Sequence, residues 1–275
     1  MKEKAGSLSI SGFTYSEGNI SETLRKIGLE REKKGAAKSL IPIIDDVRSQ
    51  AVKAQDFTSA TVLYQEKLLC AQHIIMENRR NPAKIVEGLS IMVPTSKEMI
   101  EFQKKHEDKI DPIVAARSFR FLGRQADLFH QYGKSEKYYR QCLQYFEGLE
   151  PIEQRYNRLE LSGFLSYSLL KQRKPGWFDL TQKTLSEFDT SEEGKWLKDN
   201  DYYPWAVWKS GIEIRTSDEV LGSKKLRSQY RVNVGEWLGD AESILRMPDG
   251  DTEVFGIRRQ ELSEVTQKSR RMKLD

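Results

Sequence analysis

Apolar residues recur at helical spacing over most of this chain. Leu40, Ile43, Ile44, Val47 and Ala51 stand at i, i+3, i+4, i+7 and i+11, which predicts one buried helical face. After the polar pair Gln55-Asp56, the residues Ala60, Tyr64, Leu68, Ala71 and Ile75 predict a second helix ending near Asn78. Ile85, Leu89 and Met92 mark a short helix closed by Pro94. Ala115, Phe119, Leu122, Ala126 and Phe129 then form one stripe, expected to face the core. A partner helix follows with Tyr138, Tyr139, Cys142, Tyr145, Phe146 and Leu149. Pro151 opens a further pair, whose first helix carries Leu161, Leu165 and Leu169. Its second runs from Trp177 through Leu180, Leu185 and Phe188.

Helix breakers punctuate these stripes. They begin at Gln55-Asp56, Pro94-Thr95-Ser96, Gly133-Lys134 and Arg173-Lys174-Pro175-Gly176, at intervals of 39, 39 and 40 residues. Each separates two stretches of helical length. The expected fold is therefore all-α: a solenoid of antiparallel helix hairpins with a period near 39 residues and a divergent C-terminal cap. Each hairpin buries its apolar face by stacking on the next.

Residues 1–38 read as a lead-in with a short helix from Ser21 to about Glu32. Ile10, Phe13 and Tyr15 are the bulky apolar side chains of the lead-in, which is expected to be flexible or laid against the body. Residues 39–190 carry the hairpins. Residues 191–250 form a Trp-rich helical cap (Trp196, Trp205, Trp208, Trp237) closed by Pro248-Asp249-Gly250. Residues 251–275 are a basic tail with room for a short strand at Glu253–Ile257, expected to be mobile beyond about Gln267.

Composition narrows the class. Hydrophobic residues are 38% and charged residues 31%, with mean hydropathy −0.65, the balance of a wet, elongated surface. No stretch approaches the roughly 20 apolar residues of a membrane span, and the first residues hold no apolar leader segment. Cys70 and Cys142 are too few for a disulfide framework, so a reducing compartment is expected and the localisation reads as cytoplasmic. Forty-five basic against forty-one acidic residues give +4 and a pI near 8.8, too mild to demand a nucleic-acid partner. The basic residues are unevenly placed. Lys224, Lys225, Arg227 and Arg231 form one cluster, and Lys268, Arg270, Arg271 and Lys273 another.

Ala126 and Phe129 stand three apart before Gly133-Lys134, and Ala60 and Tyr64 stand four apart. In this the stretch from 40 to 190 resembles the tetratricopeptide repeat. It departs where Tyr138 and Cys142 replace a small and an aromatic residue, and in a period longer than the family's roughly 34 residues. The resemblance implies a protein-binding groove lined by the first helix of each hairpin. Some members clamp a partner's terminal carboxylate with Lys, Arg and Asn, but those Asn positions are not Asn here, so that activity is not carried over.

Arg117, Arg120 and Arg124 lie at i, i+3 and i+7, continuing to Asp127 and Gln131, with Arg155 and Arg158 beginning the next hairpin. A basic groove of this kind would take acidic peptide segments or phosphates through bidentate guanidinium contacts. The plainer reading, a solvated helix face, outweighs it. His73, His106 and His130 each stand alone, and no Cys or His pair has metal-ligand spacing, so neither a metal nor a cofactor is expected. Cys70 and Cys142 read as buried thiols, and Tyr202, Tyr203, Trp205 and Trp208 as packing residues. Phosphate loops, nucleophile elbows and paired-carboxylate signatures are absent. The expected function is a non-catalytic scaffold or adaptor for a protein or peptide partner, itself acidic. Nucleic-acid or phosphate binding comes second and an enzyme third.

Overall fold

The structure is a computed structural model and describes Phe13, Tyr15 and residues 20–78, 81–150, 157–246 and 255–272. Helices account for nearly all of them, and no strand occurs among the described residues. None of the described helices is long and apolar enough to cross a membrane. The chain forms two compact units, residues 1–115 and 116–275.

Unit 1 holds α1 (Ile20–Arg31), α2 (Ala37–Lys53), α3 (Phe57–Glu77) and α4 (Pro82–Lys105). α3 packs on the other three and is buried around most of its girth. The stripes of Leu40 to Ala51 on α2 and of Ala60 to Ile75 on α3 are buried at every position the sequence singled out, and Phe13 and Tyr15 pack beside them. The Tyr15 hydroxyl donates to Asp56 Oδ2 at 3.0 Å, and Asp56 Oδ1 in turn accepts the Ser59 N–H at 2.9 Å as the cap of α3.

Pro94 does not break the chain. It lies inside α4, whose buried residues Met92, Thr95, Ser96 and Met99 continue straight past it. An interior proline costs about 3 kcal/mol. Burying this face against α3 outweighs that cost, and the Ser96 hydroxyl donates to the Met92 carbonyl at 2.9 Å. The repeat of breakers near 39 residues therefore loses its second member.

Unit 2 holds most of α5 (Pro112–Leu128), then α6 (Tyr132–Gln144), α7 (Arg158–Lys171), α8 (Trp177–Thr190), α9 (Glu192–Asn200), α10 (Tyr202–Leu221), α11 (Lys224–Leu245) and α12 (Gly256–Arg271). α7 packs on α6, α8 and α10, while α10 also packs on α8, α9, α11 and α12. Close approach needs missing side chains. A Cβ on Gly163 of α7 would lie 2.3 Å from Ile212 of α10, and one on Gly123 of α5 would lie 2.3 Å from Tyr139 of α6. Trp205 donates to the Phe188 carbonyl at 2.9 Å and is buried, as is Trp237, while Trp196, Tyr202, Tyr203 and Trp208 are half-buried.

Three hairpin turns share one construction. Gln55, His130 and Arg173 each adopt φ between 56° and 59°. In each, the following N–H bonds a carbonyl five residues back (Asp56 to Ala51, Gln131 to Ala126, Lys174 to Leu169) at 2.8–3.0 Å, which closes the helix C-terminus. The second hairpin therefore turns at His130, and Gly133 sits in the first turn of α6 rather than at the break.

The tail also differs from expectation. Residues 256–271 form α12, with Ile257, Leu262 and Val265 buried, and the Lys268 ammonium is held by the Asp218 carboxylate at 2.7 Å and its carbonyl at 2.9 Å. A buried stripe of three apolar residues docks this helix where isolated helix propensity would not hold it. Phe255 begins a helical turn. Glu253 and Val254, like Pro151, Pro248-Asp249-Gly250 and Lys273, lie outside the described residues.

Candidate functional site

α5 buries only part of the apolar stripe that the hydropathy reading expects. Ala126 is buried, Ala115, Phe119 and Leu122 are half-buried, and Phe129, just past the helix, is 43% exposed, while Ala116, Arg120, Gly123, Arg124 and Asp127 are buried. The reason is a polar counterpart that no apolar pattern reveals. Arg120 donates through Nε and Nη2 to both oxygens of Glu160 on α7, at 2.6 Å each, and both side chains are 6% exposed. Asp127 accepts the Tyr139 hydroxyl at 2.7 Å, the Ser168 hydroxyl at 3.1 Å and Arg124 Nη1 at 3.1 Å. The Phe164 ring lies among the guanidiniums of Arg124, Arg215 and Arg120, at 4.5, 4.9 and 5.5 Å.

Burial works to raise the Glu160 carboxyl, but Arg120 overrides it and holds the carboxyl below its usual value. Burial, followed by Arg258 and Arg124, pushes Arg215 down to about 9. The sequence-predicted residues Arg120, Arg124 and Asp127 are thus brought together, inside the unit rather than along a solvated stripe. Arg117 is half-buried, and Gln131 is exposed at the turn into α6. Arg158 bridges Glu187 at 2.9 Å and Glu193 at 2.8 Å. Arg155 lies outside the described residues.

A different basic face stays open. Ser223 caps α11, its hydroxyl accepting the Leu226 N–H at 3.4 Å. The first two turns then present Lys224, Arg227 and Arg231 at i, i+3 and i+7, on one side of the helix. No acidic residue occurs from Lys224 to Gly235, so no carboxylate of this stretch offsets the three cations at the positive end of the helix dipole. A non-helical backbone at Tyr230 kinks the helix there, and that ring is held against Trp177 and Phe178 at 5.0 and 4.7 Å.

The basic residues border a cleft of about 460 Å³ whose apolar floor includes Leu221 and Val234, and α12 closes the far side with Ser269 and Met272. Arg227 Nη1 donates to the Leu221 carbonyl at 3.2 Å and meets Met272 Sδ at 2.9 Å, which fixes its head at the cleft. The two basic clusters visible in the sequence, at 224–231 and 268–271, therefore fall on adjoining helices. Their convergence was hidden, because 37 residues separate Arg231 from Lys268. The missing carboxylates over 224–235 were the available signal.

The cysteines and histidines carry no comparable arrangement. Cys70 and Cys142 are buried, and burial pushes both thiols up to about 12, far from a nucleophilic thiolate. His106 stacks on Phe57 at 4.0 Å, and His130 Nδ1 lies 2.8 Å from the Tyr132 hydroxyl. Among the described residues no three His, Cys, Asp or Glu side chains converge as metal ligands. Comparison with family models, with characterised proteins and with solved structures finds no match to this chain.

Proposed function

We propose that this protein is a non-catalytic adaptor of the cytosol that holds an acidic protein segment in the cleft between α11 and α12. The observation that carries the reading is the cleft itself, where an apolar floor is bordered by Lys224, Arg227 and Arg231 with no carboxylate among the described residues of its lining. An extended segment with one apolar side chain between Asp or Glu residues matches both features, burying the side chain while the carboxylates meet the basic rim.

A stacked-hairpin architecture related to the tetratricopeptide repeat is the scaffold we infer. It is supported in unit 2 by α7 meeting α10 and α10 meeting α12, as first helices of successive hairpins do. The starts of α5, α7 and α10, at Pro112, Arg158 and Tyr202, give steps of 46 and 44 residues, so the inferred repeat is irregular and longer than 39.

The test is calorimetric or fluorescence titration of the full chain with an Asp/Glu-rich peptide carrying a central Phe. Binding that weakens about tenfold or more in Lys224→Glu/Arg231→Glu is expected, each charge-assisted contact contributing about 1.5–3 kcal/mol. Binding indifferent to that exchange would remove the cleft from the proposal. The same basic rim favours a second reading, nucleic acid, which salt separates. Phosphate binding through six or more contacts falls on the order of a thousandfold between roughly 50 and 200 mM salt, and a peptide contact of two or three charges falls far less.

A further inference from the structure

Four guanidiniums meet three carboxylates where α5, α7, α10 and α12 approach one another. Both oxygens of Glu160 are taken by Arg120, Asp127 accepts from Arg124, and Glu261 of α12 accepts Arg258 Nη1 at 2.5 Å. The fourth guanidinium, that of Arg215 on α10, is left over. Its Nε is buried without a hydrogen-bond partner, and no carboxylate pairs with it among the described residues. What surrounds it is a ring and further cations. The Phe164 ring of α7 lies 4.9 Å from its guanidinium and 4.5 Å from that of Arg124. Arg258 stands on the other side, over Gly211, where a Cβ would lie 3.0 Å from its guanidinium carbon. Gly211 is one turn before Arg215 on the same face of α10, and Arg258 Nε is likewise buried and unpartnered.

Arginine keeps its charge at neutral pH, so Arg215 is an interior cation without a counterion. A charge so placed is costly until something pairs with it. Burial, then Arg258 and Arg124, oppose its charged form, and Glu261 and Glu160 offset them only in part.

We infer that Arg215 and Arg258 bind the phosphate group of a small ligand. One guanidinium fork fills a planar carboxylate, whereas a tetrahedral phosphate has oxygens to meet a second guanidinium as well. Its charge of about −1.5 to −2 at pH 7 offsets the surplus cation. Both arginines keep part of their surface open to solvent while Arg120 and Arg124 are buried, so the ion enters from the side of α10 and α12. Arg258 lies roughly 16 Å along α12 from Ser269 at the basic cleft, counting 1.5 Å per residue, so the two places can be tested separately.

Isothermal titration of the full chain with inorganic phosphate and with glycerol 3-phosphate, at constant ionic strength, reads the binding. The same titrations on Lys224→Glu/Arg231→Glu keep the basic cleft out of the result. Saturable binding of at least one probe below about 1 mM is expected from both chains. Tighter binding of the free ion assigns inorganic phosphate and tighter binding of the ester a phosphate monoester, and either supports the site. Arg215→Gln is expected to weaken the binding about tenfold or more. Its melting temperature without phosphate should stay at or above that of the unchanged chain, because the variant removes an unpaired charge. A lower melting temperature with unchanged binding would make Arg215 a packing residue and overturn the inference. So would acetate that binds as tightly as phosphate, or binding that needs Lys224 and Arg231 intact. No saturable heat from either probe at about 10 mM would do the same.

Discussion

Arg117, Arg120 and Arg124 on α5 and Lys224, Arg227 and Arg231 on α11 share the spacing i, i+3 and i+7, yet their surroundings are opposite. On α5, Arg120 and Arg124 are buried against Glu160, Asp127 and the Phe164 ring. On α11, Lys224 and Arg231 are exposed and border a cleft with no carboxylate among its described lining residues. The stripe alone does not decide whether a basic helix face is scaffold or contact surface. What decides it is whether the packed neighbour supplies acceptors, and for α5 that neighbour is α7, 40 residues away in sequence.

The sharpest way to break the comparison is to remove the acceptor. Glu160→Ala leaves Arg120 charged and buried, and is expected to cost about 3–5 kcal/mol in chemical unfolding. A loss under about 1 kcal/mol would show that water reaches the pair and that the two faces are alike. The pair also has a pH signature. The Glu160 carboxyl is held below its unfolded value, so its contribution is fully present above about pH 4.3 and is lost as pH falls through the folded value. Unfolding followed from pH 7 to 3 should show that loss, and Glu160→Gln should remove this component of the slope.

The open face should respond in the other direction. Lys224→Glu places a carboxylate at the positive end of α11 and is expected to stabilise by about 0.3–1 kcal/mol while weakening the acidic partner. Thermal unfolding in low salt reads the first effect and peptide titration the second. Destabilisation would mean that Lys224 supports the fold, as Arg120 does. The smallest effect belongs to the turn that follows α5. Phe129→Ala is expected to cost under about 1 kcal/mol, against about 3–5 for a buried phenylalanine such as Phe164.

Much of the helical layout was legible because a one-sided apolar stripe needs only local spacing. The α2 and α3 stripes are of this kind, and so are Trp205 and Ile212 on α10. Legibility failed where a distant partner changes what a residue means. Pro94 reads as a stop until the buried Met92 and Met99 on either side of it are seen against α3. The α5 stripe reads apolar-inward until Glu160 is placed opposite Arg120. α12 reads as a loose tail because Ile257, Leu262 and Val265 gain their burial only by docking on α10 and α11. The candidate cleft was half legible: the basic cluster at 224–231 could be seen, but not the apolar floor that it borders. Arg215 gave no signal at all, since an arginine left without an acceptor looks in sequence like any solvated one.

The three hairpin turns at Gln55, His130 and Arg173 give the molecule an unused reserve of thermal tolerance. Each holds an L side chain in a backbone conformation that glycine adopts freely. His130 and Arg173 also make side-chain contacts, to Tyr132 and Glu219, whereas the Gln55 side chain is exposed. Gln55→Gly is therefore a one-residue route to a hardier variant that leaves both candidate binding sites untouched. It would allow the weakening variants of those sites to be made in a background robust enough to keep loss of binding separate from loss of fold.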